Sequence, residues 1–294
     1  VKMETRRPVV AGQFYSDQRE ACLAEIQQCL AESPQFDELP ETIVAGIVPH
    51  AGWVFSGDLA AMVFSAIKQV HQTVHTFVIF GAIHSYGGSS AAVYSEGSWL
   101  TPLGEVSIDS QLASEIIRLS VLVESNLKAH RSEHSIEVQV PFIQHLFGDA
   151  KILPIMVPPT PLAVQLGSDV ADIISSTEEK KIVCIGSTDL THYGPRYGFS
   201  PLGTGPDAIR WAKEVNDRQF IDLAVQLAPE KIPLNASEKH NACGAGAAAA
   251  TVAAAKRLGK KQGLLLAHTH SNEVMERKFG QSSEESVGYA AIVF

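Results

Sequence analysis

The chain has 294 residues, 45% of them hydrophobic and 19% charged, a balance that supports a filled core and excludes disorder. Its net charge is −9 and its pI about 5.6, with no clustered Lys/Arg face, so nucleic acid is not an expected partner. No apolar run approaches the ~18 residues a membrane span needs, and the basic start VKMETRRPVV lacks the apolar stretch of a secretory signal.

Cys22 and Cys29 are seven apart and share a helix face. IVAGIVPH (43–50) predicts a buried strand, followed by a helix over 56–70 with Ser56 as its N-cap. TFVIFGAIHS (76–85) predicts a second buried strand, and AAVYS and WLTPLGEVSI predict shorter ones. Helices are expected over 110–120 and, despite Pro141, over 133–147. Buried strands follow at 151–158 and 181–189, joined by a helix over about 162–176. A long amphipathic helix is expected over 207–227, an alanine-rich one over 243–259, and closing strands at 263–271 and 286–294. Continuous apolar strands between helices predict a single α/β domain over 1–294, with helices on both faces of a mostly buried sheet and the last strand inside it. The four cysteines form neither a disulfide framework nor a CxxC knuckle, so a reducing, cytoplasmic setting is expected.

In open α/β sheets ligands sit beyond the carboxyl ends of strands. Three predicted strands end in reactive side chains: His50 in PHAGWVFSG, His84 in GAIHSYGG, and Asp189 with His192 in STDLTHYG. If those strands are neighbours, three imidazoles and a carboxylate converge on one cleft. Cys243 opens the alanine-rich helix, where free N–H groups and the dipole favour thiolate, suiting metal ligation or nucleophilic attack. Tight packing beside Gly244 and Gly246 explains a small residue there equally well. In HRSEHSIEVQVPF, the pairs His130/His134 and Glu133/Glu137 are each four apart, as on one helix face, and His134 either lines the cleft or belongs to a charged helix start. HTH (268–270) is expected to send at most one histidine to the site, and His71, His75 and His145 are expected to face solvent.

VAGQFY (10–15), VPHAGWVFSG (48–57), GAIHS (81–85), EHSIEVQVPF (133–142), STDLTHYG (187–194) and NACG (241–244) appear in that order. This set resembles the Memo family (mediator of cell motility), whose fold is similar to class III extradiol dioxygenases. The resemblance implies metal ligands at His50, His84 and Cys243, with the thiolate standing where the ring-opening enzymes have a carboxylate. It implies an acid/base role for His192 beside Asp189, a further pocket histidine at His134, and aromatic groups near the cleft at Tyr15 and Trp53. Fe(II) is the first expected metal, with Cu(I) or zinc as alternatives, since thiolate makes a 2-His face softer. The activity so implied is a metal-dependent, dioxygenase-like oxidoreductase of unknown small-molecule or peptide substrate, with a radical enzyme as a possible pathway partner. A metal-independent thiol enzyme using Cys243, His192 and Asp189 is one alternative. A non-catalytic peptide- or small-molecule-binding module is another.

Overall fold

The computed structural model describes residues 4–85, 87–177 and 179–294; Tyr86 of the GAIHSYGG motif and the first three residues of the basic start lie outside them. The strands are β1 (Thr5–Arg6), β2 (Ala45–Val48), β3 (Thr76–Gly81), β4 (Ala91–Val93), β5 (Ser98–Thr101), β6 (Gly104–Ser107), β7 (Val123–Ser125), β8 (Lys151–Met156), β9 (Ile182–Ser187), β10 (His192–Tyr193), β11 (Leu264–His270) and β12 (Ser286–Val293). The helices are α1 (Arg19–Ala31), α2 (Trp53–Val70), α3 (Ser110–Leu119), α4 (Val140–Phe147), α5 (Leu162–Ser175), α6 (Pro206–Trp211), α7 (Arg218–Val225), α8 (Ile232–Lys239), α9 (Ala245–Arg257) and α10 (Ser271–Phe279).

The large sheet runs β10-β12-β2-β9-β3-β8-β4-β7, with β11 also paired to β12. Its centre, β2-β9-β3-β8, is parallel, while β12 joins β2 and β4 joins β8 antiparallel. Every residue of β2, β3 and β9 is buried, as strands covered on both faces require. β9 lies between β2 and β3, so the chain crosses over and three strand ends meet on one side of the sheet. β12 lies inside the sheet, as its apolar composition predicts. The hairpin β5-β6 instead joins β1 in a separate three-stranded sheet.

Small residues set the layer spacing. A side chain on Gly186 of β9 would strike Thr251 of α9, and one on Gly167 of α5 would strike the Ala250 carbonyl. The alanine-rich α9 thus seats against both the sheet and α5. On the other face α2 packs against β2 and β12 and against α1 and α4, with Cys22 and Cys29 of α1 buried.

Four predicted helices differ in detail. The one expected from residue 56 starts at Trp53 with Gly52 as N-cap, and Ser56 lies within its first turn, donating to the Ala51 carbonyl (3.0 Å). The one expected over 133–147 shrinks to α4, preceded by a 3-10 turn at Glu137–Gln139. Pro141 explains this: proline lacks an N–H and fits the first helical turn, not the interior. His130, Glu133 and His134 therefore lie before the helix, and their sequence spacing does not set their contacts. The one expected over 207–227 is α6 and α7 joined by a π-helical turn, Ala212–Asp217. The alanine-rich one begins at Ala245, two residues after Cys243.

The irregular segment 130–139 is held by a buried ion pair. Arg6 donates to Glu137 (2.8 Å), to the His130 carbonyl (2.8 Å) and to the Glu133 carbonyl (2.6 Å), with its guanidinium over the Trp99 ring (4.1 Å). Glu137 also accepts the backbone N–H groups of Val9 and Val10 and the Tyr15 hydroxyl (3.1 Å). Removing one partner leaves an uncompensated buried charge, which costs roughly 3–5 kcal/mol. Arg6→Met and Glu137→Gln should each lose most of that in urea unfolding. The double variant should lose less than their sum; strict additivity would show that the pair is not coupled.

Candidate metal centre

Each strand end is turned into the cleft by a specific hydrogen bond. After β2, the His50 N–H donates to Asp189 Oδ1 (2.7 Å), and Gln139 Nε2 donates to the Pro49 carbonyl (2.7 Å). After β3, the Ala82 N–H donates to Ser135 Oγ (3.0 Å) and the His84 N–H to Glu133 Oε2 (3.0 Å). After β9, the Cys243 N–H donates to the Asp189 carbonyl (3.2 Å), the Gly244 N–H to Thr188 Oγ1 (2.9 Å), and the Asp189 N–H to Cys243 Sγ (3.3 Å).

The result gathers His50, His84 and Cys243, whose ligand atoms all lie within 4.8 Å of one another. His50 Nε2 is 3.2 Å from Cys243 Sγ. Metal–nitrogen and metal–sulfur bonds of about 2.1 and 2.3 Å allow a shared ion's N and S ligands to be at most about 4.4 Å apart. The hydrogen bonds on the far side of each ring fix which nitrogen faces inward. Ser187 Oγ spends its only proton on the Ser135 carbonyl (2.7 Å), so it accepts from His50 Nδ1 (3.0 Å). His84 Nδ1 faces the Glu133 carboxylate (2.9 Å), which also accepts the N–H groups of His134 and Ser135. Both Nδ1 atoms therefore carry hydrogen, and both Nε2 lone pairs are left for the cleft. Two imidazole lone pairs and a thiol are a donor set that fits Fe(II), Cu(I) or zinc.

The electrostatics follow burial. His50 is held well below the usual histidine range, first by burial and then by the neighbouring His84 and His134. His134 is lowered for the same two reasons. Burial works against the charged form of His84 as well, but its hydrogen bond to Glu133 wins and raises it. Burial also opposes ionisation of Glu133, and the bonds from His84 and the backbone outweigh it, so this carboxyl is depressed. Burial raises Asp189. Burial, then the charge of Asp189, raises Cys243 above the ordinary thiol value. Cys243 precedes the helix rather than opening it, and burial outweighs the pull toward thiolate expected of a helix N-terminus.

His134 completes an imidazole cluster, its ring 4.7 Å from His84 and 5.5 Å from His50. His84 and His134 are the accessible members, their side chains 34% and 24% exposed, so the cleft opens on that side. His192 directs Nδ1 to the Leu190 carbonyl (3.1 Å), leaving Nε2 without a hydrogen-bond partner among the described residues, and its ring meets Tyr197 (5.2 Å). Asp189 turns an oxygen to the His50 N–H, and the imidazole beside Cys243 Sγ is that of His50. Tyr15 and Trp53 stack on each other at 4.8 Å in the core, the phenol donating to Glu137 and the indole to the Val138 carbonyl. The aromatic ring beside His134 is Phe14, at 5.1 Å.

His71, His130, His268 and His270 serve the scaffold. His130 is buried beneath Tyr94 and Trp99, bonded to the Ala92 carbonyl (2.9 Å), and burial lowers it to about 3. His71, expected at the surface, is buried and bonds the Ile43 backbone (2.9 Å); His75 and His145 are exposed. His268 and His270 share one face of β11, as a two-residue period requires. The first pairs with Asp217 and the second caps α10. Ser187, Glu133 and Phe14 all lie inside the quoted motifs, but only the tertiary contacts reveal what Ser187 and Phe14 do.

A mixed α/β sheet with two imidazoles and a thiol converging at the carboxyl ends of its central strands defines a protein with a strand-end, metal-type site. The chain belongs to the Memo family: the profile of the Memo-like protein family matches residues 6–293. Similar proteins, each described as a MEMO1 family protein, occur in several archaea. That of Thermococcus onnurineus is 36% identical, covering 98% of this chain and 99% of its own. Those of Pyrococcus abyssi and Methanopyrus kandleri are 37% and 34% identical, each covering 98% of both chains.

The raised thiol makes a direct prediction. In chelated, metal-free protein, Cys243 should alkylate more slowly than a free cysteine at pH 7, then accelerate as pH rises past the ordinary thiol value of 9.0. Peptide mapping of iodoacetamide labelling measures this. Cys22, Cys29 and Cys184, each pushed up to about 12 chiefly by burial, are internal controls. Labelling of Cys243 at the free-cysteine rate at pH 7 would show that burial does not control it.

Proposed function

We propose that this protein is a metal-dependent oxidoreductase, dioxygenase-like in its site, that holds one ion through His50 Nε2, His84 Nε2 and Cys243 Sγ. The observation that carries the reading is the clamping of both Nδ1 atoms, by Ser187 and Glu133, which aims two lone pairs at one thiol. Fe(II) is the first choice, with Cu(I) or zinc alternatives that the sulfur donor favours. When bound, the metal supplies Lewis acidity and, as iron or copper, redox capacity.

The chain's own residues do the rest. Asp189 holds the His50 backbone in place and supplies buried negative charge beside the thiol. His192, with Nδ1 committed to the Leu190 carbonyl, can take or give a proton at Nε2. His134 lies against His84 at the open side, and Phe14 beside it offers an apolar wall for the substrate, a small molecule or peptide. The thiol-enzyme alternative asks His192 to activate Cys243, but the imidazole against Sγ belongs to the buried His50. Four free thiols suit a reducing, cytoplasmic setting. No helix among the described residues is long and apolar enough to cross a membrane. A radical enzyme remains the pathway partner that the family resemblance suggests.

Metal analysis after anaerobic loading should show stoichiometric ion in the native protein. His84→Ala and Cys243→Ala should lose it, and His192→Ala should keep it. Ser187→Ala and Glu133→Gln should weaken affinity by about 10–100-fold, the usual effect of releasing a ligand's orienting partner. Native stoichiometry in Cys243→Ala and His84→Ala would refute the ligand assignment.

Proton release tests the same site. Cys243 is protonated at neutral pH and His50 is not, so binding should release one proton per ion there. As pH falls below the raised His84 value a second proton must leave, and the pH dependence of affinity should steepen toward twofold slope. Calorimetry in buffers of different ionisation enthalpy reads both.

A further inference from the structure

The π-helical turn Ala212–Asp217 lies outside the ligand set, yet the two loops of the metal centre hang from it. Positions 208, 209, 212, 216, 217, 220, 221 and 224 are buried through this stretch. The wide turn joins α6 to α7 within it. It also turns two consecutive polar residues inward, Asn216 at 0% exposure and Asp217 at 1%. Wide turns of this kind are rare and are found frequently at functional sites.

Both side chains reach the site's supporting loops. Asn216 Nδ2 donates to Thr191 Oγ1 (3.0 Å) and to the Lys239 carbonyl (2.8 Å), while the Asn216 backbone carbonyl accepts from Asn241 Nδ2 (2.9 Å). Asp217 Oδ1 accepts the Thr191 N–H (2.9 Å), and Oδ2 faces His268 Nε2 (3.1 Å). Thr191 sits between Asp189 and His192, and Asn241 stands two residues before Cys243. On the other side, the Thr191 carbonyl accepts the Gly288 N–H (3.0 Å) and Leu190 donates to the Gly288 carbonyl (2.8 Å). A side chain on Gly288 would run into the Asp217 carboxylate, so the strand is cut away to admit it.

We infer that Asn216 and Asp217 are positioning residues of the metal centre: by gripping Thr191 from one side and the Lys239–Asn241 turn from the other, they set the spacing between the Asp189–His192 loop and Cys243. The inference rests on the reading of Cys243 as a ligand. Across that spacing the two loops meet through the Cys243 N–H and Sγ, both toward the Asp189 carbonyl, the Asp189 N–H to Sγ, and the Gly244 N–H to Thr188.

The test uses the full chain loaded anaerobically with Co(II), whose thiolate charge-transfer band reports the geometry at Cys243. Asn216→Ala and Asp217→Ala should shift that band and weaken Co(II) binding about 10-fold or more, the scale of second-layer effects. In metal-free protein they should speed alkylation of Cys243. Asp217→Asn keeps an acceptor for the Thr191 N–H and should stay near native in all three readouts. Thr191→Val removes only the hydroxyl, so it gives the answer if Asn216→Ala does not fold, and should move the readouts in the same direction. Variants that melt earlier while band, affinity and alkylation stay native would overturn the inference and leave these residues a purely structural role. If native protein shows no charge-transfer band, the ligand reading fails by itself. The alkylation rates then still decide whether the turn positions Cys243: faster labelling supports it, unchanged labelling overturns it.

Discussion

The guanidinium of Arg6 is buried among a carboxylate, two carbonyls and an indole face, far from any sheet strand of the cleft in sequence. Segment 130–139 has too little regular structure to hold itself, so Arg6 and Glu137 hold it. That segment supplies the partners that orient the site. Glu133 sets His84, the Ser135 carbonyl commits Ser187 and so sets His50, and Gln139 holds the turn before His50. A charge–charge contact made with the first strand of the small sheet thus governs which nitrogen atoms the large sheet presents.

The site so built is short of positive charge. His50 is kept neutral by burial, Cys243 is kept protonated by burial and by Asp189, and Glu133 stays ionised through its hydrogen bonds. A cation held among these groups would take the place of the thiol proton and relieve the Asp189 charge. Burial that is costly for an isolated thiolate then becomes the low-dielectric surrounding that strengthens a thiolate–metal contact. The same groups that resist ionisation by themselves would suit an ion among them.

Much of the fold was legible because buried strands are written as apolar runs. The stretches at 43–50, 76–85, 151–158 and 181–189 became β2, β3, β8 and β9, and the polar residues that follow β2, β3 and β9 became the site. Helix boundaries were read less well. Pro141 deferred α4 to the first position where a missing N–H costs nothing. The amphipathic stretch 207–227 reads as one helix in the sequence, whereas in the fold it is α6 and α7 joined by a wide turn. His71 looked like a surface residue because its neighbours in sequence are polar; its neighbour in space is the Ile43 backbone.

The sequence by itself determined the α/β alternation, the family and which side chains stand at the strand ends, since these depend on local pattern and residue type. It could not determine that β9 inserts between β2 and β3, because strand order is a long-range pairing and no local period records it. Nor could it give the state of those side chains. Whether Cys243 is thiol or thiolate, and which nitrogen of His50 and His84 faces inward, depends on burial and on Asp189, Ser187 and Glu133. Those partners lie 49 to 137 residues away along the chain from the groups they control, and only the folded chain brings them within hydrogen-bond reach.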